Sequence, residues 1–335
     1  MSNLKIGKIE PVILGKLISD YTHKDGRVLV GAEIGEDAAV IDMGSTCLVA
    51  KTDPITHVTE ELGHYAVNIN ANDIAAMGGT PMWFLATILM PEASTADEIE
   101  TIFSQLSESC KALGVSYCGG HTELTRSVHH PVVIGQMLGE VQRDNIKPTS
   151  GSCQGDDLIM TKWSAIEATA IIALEKEKEL REYLDHNLLT RAKNYLYDPG
   201  ISVMREARVV SSMKDVHALH DPTEGGILTG IYEMAKASDL GVEVHYEKIP
   251  VSEETRILCE AYDVDPLGTF ASGALLITVS PSASKDVIDI LAAERIEATR
   301  IGIMNPKDKG MRLIKKGKNL PLPVYHQDEL SKFFG

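Results

Sequence analysis

The sequence predicts an α/β (α+β) chain built as two successive α/β domains. Three observations predict it. Strand and helix signals alternate through the first half. A cluster of Pro, Gly, Ser and Thr, "KPTSGSCQGD" at 147–156, then interrupts the pattern. Beyond it the alternation resumes with "DLIMTK". The 335 residues suffice for two domains, placed at 1–150 and 151–335.

In order, "RVLVGAEI", "AAVIDM" and "CLVAK" are short runs with β-branched residues and read as strands. A helix follows from about Glu60 to Met77, stopped by Gly78, Gly79 and Pro81, the order that ends helices. "MWFLATILM" reads as a buried strand. After Pro91, the residues Ile99, Ile102, Phe103, Leu106, Cys110 and Leu113 keep the 3.6-residue period of a helix that Gly114 can cap. "VSYCGG" and "VVIGQMLGEV" are further strands. The second half opens with the strand "DLIMTK" and a long helical region. It continues through "DVHALHDPTEGGI", a helix, the strand "VEVHYEKI" and "FASGALLITV". There is no short tandem repeat and no low-complexity segment.

The chain is 44% hydrophobic, carries a net charge of −16 and has a pI of about 5.1. That excludes a disordered protein, a basic nucleic-acid face and a polybasic lipid-binding stretch. A phosphate ligand would have to arrive with metal ions or meet backbone N–H groups. No apolar run approaches the ~20 residues of a membrane span, and "MSNLKIGKIEP" lacks the apolar region of a signal peptide. The five cysteines, at 47, 110, 118, 153 and 259, never form C-x-x-C, which argues against a zinc site or a disulfide framework. The expectation is a cytoplasmic protein.

The segment "NINANDIAAMGGTP" (68–81) has the apolar spacing of a buried helix, yet contains Asn68, Asn70, Asn72 and Asp73, all poor helix formers. Asn68 and Asn72 are four apart and share one helix face, with Asp73 adjacent. This polar stripe could face a metal–phosphate cluster, or be the exposed side of an amphipathic helix. Other carboxylates also end apolar runs beside Gly, Pro or Thr: Asp37 in "GEDAAV", Asp53 in "KTDPITH", Glu123 in "GGHTEL", and Asp221 and Glu224 in "HDPTEGGI". Buried carboxylates are costly unless paired or metal-bound, and hard oxygen ligands suit Mg²⁺ with substrate phosphates. Taken singly, each reads more readily as a cap or turn residue, but their recurrence points toward a site.

The glycine pairs Gly119-Gly120 and Gly225-Gly226 allow either close backbone approach to phosphate or ordinary turns. Neither a G-x-x-x-x-G-K-[ST] loop nor a G-x-G-x-x-G fingerprint is present. "GSCQG" (151–155) matches a nucleophile elbow in letters, but it precedes a strand instead of following one, and reads as a linker turn. His121 beside Glu123 is a candidate phosphate or acid–base contact. His220 lies in a second motif. His129 and His130 read as loop.

Together "GEDAAVI", "TDPI", "VNINANDIAAMGGTP", "GGHTEL", "HDPTEGG" and "ASGALL" occur in the order found in the PurM (AIR synthase) superfamily. The chain resembles that superfamily over nearly its whole length, and its HypE-like, AIR synthase-related members most. The resemblance implies a PurM-like two-domain fold: an N-terminal α/β domain that dimerises through its sheet, then a C-terminal α/β domain. ATP would lie in the cleft between them, with Mg²⁺ held by acidic residues. Carried over, Asp37, Asp53, Asp73 and Glu123 would be the metal ligands. Lys51, Asn72, Gly119, Gly120, Thr122 and Thr223 would bind the cofactor. Asp73, His121 and Asp221 would be catalytic. Such proteins activate an oxygen, typically amide-type or carbonyl, by phosphoryl transfer from ATP.

Three departures from the resemblance shape the expectation. HypE proteins carry a terminal cysteine that bears the carbamoyl group, whereas this chain ends "HQDELSKFFG" and its last cysteine is Cys259. Selenophosphate synthetases carry a reactive residue near the N-terminus, and no cysteine precedes Cys47 here. The turn after the second domain's first strand is usually glycine-rich, and "TKWSAIEATA" has no glycine. The expected function is a homodimeric, Mg²⁺-dependent ATP-binding enzyme acting on a small substrate or a group borne by a maturation partner. The alternative is a nucleotide-binding regulator. Thiamine-monophosphate kinase-like activity fits less well, because "GGHTE" stands where that family has "GGDT".

Overall fold

The computed structural model describes residues 7–23, 25–56 and 58–333. The start of "MSNLKIGKIEP" and the last two residues of "HQDELSKFFG", read above for a leader and a tail, lie outside the described residues.

The helix α1 (Pro11–Tyr21) precedes a six-stranded sheet. Its strands are β1 (Val28–Val30), β2 (Ala39–Asp42), β3 (Cys47–Ile55), β4 (Thr80–Pro91), β5 (Ser116–Thr125) and β6 (Val132–Val141). They lie in the order β1-β2-β3-β6-β4-β5, antiparallel except for the parallel pair β4–β5. Alternation sorts each strand between two faces. Phe84, Ile88, Met90, Val133 and Met137 point into the core. There they meet α2 (Leu62–Ala76) and α3 (Ala96–Leu113). The opposite face leaves Leu48, Trp83, Leu85, Leu89, Ile134 and Leu138 half-buried.

The helix α3 follows Pro91 and ends at Gly114 as the sequence predicts, and its start carries a cap that the sequence reading did not name. The Glu98 N–H donates to Thr95 Oγ1 at 3.3 Å and the Thr95 N–H donates to Glu98 Oε2 at 2.6 Å, a reciprocal cap worth about 1 kcal/mol. Phe103, expected on its apolar stripe, is 40% exposed and leans on Tyr117 instead.

The second half holds β7 (Asp157–Thr161), α4 (Ile166–Glu175), α5 (Glu177–Leu180), α6 (His186–Asn194), α7 (Met204–Val210), β8 (Val216–His220), α8 (Gly226–Ala237), β9 (Gly241–His245), α9 (Glu253–Ala261), β10 (Leu276–Val279), α10 (Ser284–Ala293), β11 (Ala298–Asn305), β12 (Met311–Lys315) and β13 (Lys318–Pro321). Its strands form a seven-stranded sheet in the order β13-β12-β9-β11-β7-β10-β8. The sheet is buried on both faces. Leu158, Met160 and Leu276 pack with α8, while Ile159, Ile277 and Leu219 pack with α7 and α10. That explains why "DLIM" and "LLITV" read as continuous apolar runs.

Several expected elements differ in extent. "RVLVGAEI" yields only the short β1, because the chain leaves the sheet at Gly31 to bring Glu36 and Asp37 toward the second half. "FASGALLITV" is strand only from Leu276, and "FASGA" is buried loop. "GSCQG" is a turn into β7, as read: the Cys153 N–H donates to Asp156 Oδ2 at 2.8 Å.

The helix α2 sits between the halves, against β3 and β6 on one side and α7 on the other. It is buried nearly all round. A buried helix must satisfy its polar side chains internally. Asn70 Oδ1 accepts the Asp53 N–H at 2.9 Å, and its Nδ2 donates to Ala66 O. Asn72 Nδ2 donates to Ile201 O at 2.8 Å, and its Oδ1 accepts the Val203 N–H at 2.9 Å. Asn68 Nδ2 donates to His64 O. The asparagines therefore hold backbone in place.

Candidate active-site cleft

The C-terminal part of β3, the third turn of α2, the loop before β2 and the C-terminal end of β8 converge on one cleft of about 370 Å³. Each contributes charge. Lys51 and Asp53 lie two apart on β3 and so point the same way. Asp73 comes from α2, Asp37 from the loop, and His220 and Asp221 from β8. Thr223 and Glu224 follow in the turn to α8.

Lys51 Nζ donates to Asp73 Oδ1 at 2.9 Å and stands 3.5 Å from Asp53 Oδ2. Burial works against the Lys51 ammonium, but Asp73 and Asp53 outweigh it, and its pKa is raised. Burial also raises the pKa of Asp73, with Asp53 and Asp37 adding repulsion and Lys51 opposing them. Asp221 is raised well above its usual range, first by burial, then by Asp73 and Asp37. Both Asp221 carboxylate oxygens and Asp73 Oδ2 are buried without a hydrogen-bond partner.

His220 lies between two carboxylates. Its Nδ1 is 2.7 Å from Asp37 Oδ1 and its Nε2 is 3.2 Å from Glu233 Oε2. Burial disfavours the imidazolium, but Asp37 and Glu233 raise its pKa well above 6.5. Glu233 falls to about 2: burial pushes it up, but Lys8 and His220 overcome that. Asp37 also accepts from Thr149 Oγ1 at 3.2 Å. Ligand atoms of Asp37, His220 and Asp221 lie within 4.8 Å of one another.

The aspartates lining the cleft offer oxygen ligands, with orphaned atoms on Asp73 and Asp221, and that chemistry fits a hard divalent cation, since Mg²⁺ takes oxygen ligands at near-octahedral geometry. Asp37, Asp53, Asp73 and Asp221 would hold it. Apolar walls from Ile9, Pro11, Leu14, Ile34 and Tyr232 complete the cleft.

Six predicted site residues meet here: Asp37, Lys51, Asp53, Asp73, Asp221 and Thr223. The others lie elsewhere in this chain. Gly119, Gly120, His121, Thr122 and Glu123 belong to the edge strand β5, which is exposed, and none lines the cleft. Gly119 and Gly120 are thus strand residues in this chain. A Cβ at Gly120 would overlap the Ala86 carbonyl oxygen of β4, and its φ is +146°. His121 Nε2 lies 3.1 Å from Glu123 Oε2 in the open. Asn72 does not line the cleft either, because its amide is fully engaged with Ile201 and Val203. Of the polar stripe, only Asp73 faces the charges.

The Gly225-Gly226 pair is turn chemistry. Both residues have positive φ, and Gly225 N–H donates to Asp328 Oδ2 at 2.8 Å. Three contributors escaped the sequence reading. Lys8 donates to Glu233 at 3.4 Å and closes the N-terminal segment over the cleft. His220 and Glu233 supply the buried cation and its second carboxylate. A histidine directly before a motif aspartate was the available signal for His220. Lys8 and Glu233 had none.

Comparison with known proteins agrees with this architecture. The N-terminal domain family described as AIR synthase related protein matches residues 35–141, and the corresponding C-terminal domain family matches 154–314. A Methanocaldococcus jannaschii protein named for hydrogenase expression and formation is 25% identical over 89% of this chain and 90% of its own. A selenide, water dikinase of Dechloromonas aromatica is 30% identical over 76% of this chain and 71% of its own. A crystal structure of the hydrogenase maturation protein HypE in complex with ATP superposes with a TM-score of 0.71 at 21% identity, covering 93% of this chain and 94% of that one. The chain belongs to the AIR synthase-related family of the PurM superfamily and stands with its HypE-like members.

Proposed function

We propose that this protein is a Mg²⁺-dependent ATP-binding enzyme that transfers a phosphoryl group to an oxygen of a small or protein-borne substrate. One observation carries the reading: Asp221, buried and without a partner at either oxygen, lies among Asp37 and Asp73 in a cleft that also holds Lys51. Leaving such a carboxylate unsatisfied costs roughly 1–3 kcal/mol or more, which a bound cation would relieve. The ATP complex of HypE supports nucleotide as the occupant.

When bound, Mg²⁺ would neutralise phosphate charge in the cleft. The chain's own residues do the rest. Lys51 adds a second positive charge beside Asp53 and Asp73. Asn70 fixes the Asp53 backbone through its N–H, and His220 fixes Asp37. Lys8, Ile9 and Pro11 close the cleft against water. Catalysis here is positioning and electrostatics, as phosphoryl transfer requires. The protein would act in the cytoplasm as a homodimer, with the half-buried face of the first sheet against a second copy and a maturation protein as a further partner.

A second reading, a nucleotide-binding regulator, is favoured by β5: "GGHTE" lies outside this chain's cleft. Calorimetric titration with ATP, with and without Mg²⁺, tests the cleft, and phosphate release separates the two readings. Mg²⁺-dependent binding that Asp73→Asn abolishes is expected. Absence of any adenine-nucleotide binding by the purified protein would sink both.

A further inference from the structure

The glycine-free turn "TKWSAIEATA" holds the strongest unexplained feature. Ala165 adopts a left-handed conformation at φ +58° and turns the chain into α4, which places Glu167 in the first helical turn. Glu167 is 4% exposed, and its Oε2 has no hydrogen-bond partner. It lines a chamber of about 270 Å³. Tyr65 lines the same chamber, 1% exposed, with its hydroxyl also unpartnered. Two buried polar atoms without partners, Glu167 Oε2 and the Tyr65 hydroxyl, on one cavity wall mark a place for a ligand.

The chamber joins the charged cleft. Lys8, Asp53, Thr223 and Glu224 border both. Its remaining walls are mostly apolar, from Pro54, Ile55, Val58, Ile69 and Phe270, with Thr56 and Ser272 as the polar exceptions among the described residues. Among the described residues its charged groups are three carboxylates, Asp53, Glu167 and Glu224, and one cation, Lys8. Lys8 is itself engaged by Glu233 and Glu224. An anionic molecule would meet that field unfavourably.

We propose that this chamber is the acceptor subsite of the phosphoryl-transfer cleft. It takes a neutral or cationic molecule with an apolar body and a hydroxyl group, and Glu167 receives the hydroxyl proton. This rests on the nucleotide reading of the neighbouring cleft. In the step, the acceptor oxygen forms a bond to the γ-phosphorus. The bond from that phosphorus to the β,γ-bridging oxygen breaks, and ADP leaves with the electron pair. The proton passes to the Glu167 carboxylate and then to water.

The groups facing Glu167 suit that task. Its pKa is raised to about 7: burial pushes it up, Ser272 opposes through its hydroxyl and N–H, and Asp328 adds to the rise. Tyr65 is near enough that Glu167 helps raise the phenol pKa. A carboxylate titrating near neutrality is matched to general-base work.

The test uses the full chain with Mg²⁺ and a non-hydrolysable ATP analogue. Benzyl alcohol serves as the neutral probe and benzoate as its anionic counterpart, both followed by saturation-transfer NMR. Saturable benzyl alcohol binding is expected, with benzoate at least tenfold weaker. Val58→Trp, which fills the chamber from a loop, should abolish it. Glu167→Gln should weaken it about tenfold at pH 8, the loss of one charge-assisted hydrogen bond. Basal phosphate release from Mg·ATP should rise through pH 7 in the wild type. In Glu167→Gln it should be flat and at least a hundredfold lower at pH 8. The proposal is overturned if benzyl alcohol fails to bind a chain that binds nucleotide, if benzoate binds equally, or if both variants bind benzyl alcohol as the wild type does. Failure of nucleotide binding in the wild type would instead remove the parent reading.

Discussion

His220 Nδ1 lies 2.7 Å from Asp37 Oδ1, and this contact ties the end of β8 to the loop before β2. Because Glu233 engages the other ring nitrogen, both nitrogens act as donors and the ring is an imidazolium. It is a buried cation between two buried carboxylates.

Removing it leaves Asp37 with the Thr149 hydroxyl and Glu233 with Lys8, and takes the buried cation from both. His220→Ala is expected to destabilise the ligand-free protein by about 3 kcal/mol, the usual consequence of breaking a buried ion pair from one side. Chemical denaturation measures this. Stability within 0.5 kcal/mol of wild type would show that the ring is not charged in the folded state.

Asp221 should behave in the opposite way. Its folded pKa is raised by burial and by Asp73 and Asp37, so the carboxylate is strained at neutral pH. Asp221→Asn removes the charge and keeps the shape. Without ligand the variant should be more stable by about 1 kcal/mol, while Mg²⁺-dependent ATP binding is lost, a trade of stability for function. Thermal unfolding and calorimetry on the same samples test both halves. A variant that is both less stable and still binds Mg·ATP would contradict the role given to Asp221.

Asn72 separates scaffold from site. Its amide joins α2 to Ile201 and Val203 through two buried hydrogen bonds. Asn72→Ala should cost about 2–3 kcal/mol by stranding an N–H and a carbonyl. ATP affinity per folded molecule should stay within threefold. A large affinity loss at unchanged stability would return Asn72 to the ligand-binding set.

The Asn72 result also shows where sequence reasoning stopped. Helix α2, β4 and α3 were legible because their apolar periods, the Gly114 cap and the Gly-Pro stop are local signals. Asp37, Asp53, Asp73 and Asp221 were legible because acids ending apolar runs are costly without a purpose. The direction of each asparagine was not legible. A helix buried on both sides has no solvent face to orient it, and only the tertiary partners of Asn70 and Asn72 decide. Likewise the Gly119-Gly120 pair of "GGHTE" left phosphate contact and ordinary turn open, and only the resemblance made it a phosphate loop. Its pairing with β4, a contact set by the fold, makes it an edge strand. Glu167 stood in a segment noted only for lacking glycine, and its burial with Oε2 unpartnered appears only in the folded chamber that it lines with Tyr65 and Phe270.

Glu167 offers a pH prediction whose sign follows from its environment. Its folded pKa is raised from 4.5 to about 7, chiefly by burial. The folded state therefore holds the proton more tightly than the unfolded chain. The resulting stability is fully present below pH 4.5 and is lost as pH rises to about 7. Glu167→Gln keeps the neutral shape at every pH. Its stability relative to wild type should climb between pH 4.5 and 7 and level off above 7 at a gain of up to ~3 kcal/mol. Urea unfolding of both proteins from pH 4.5 to 8.5 gives the difference curve. A flat difference would mean that Glu167 is already paired in solution. A neutral or cationic occupant that donates to Glu167 should move the wild-type midpoint below 7, because it favours the carboxylate. An anionic occupant should move it up.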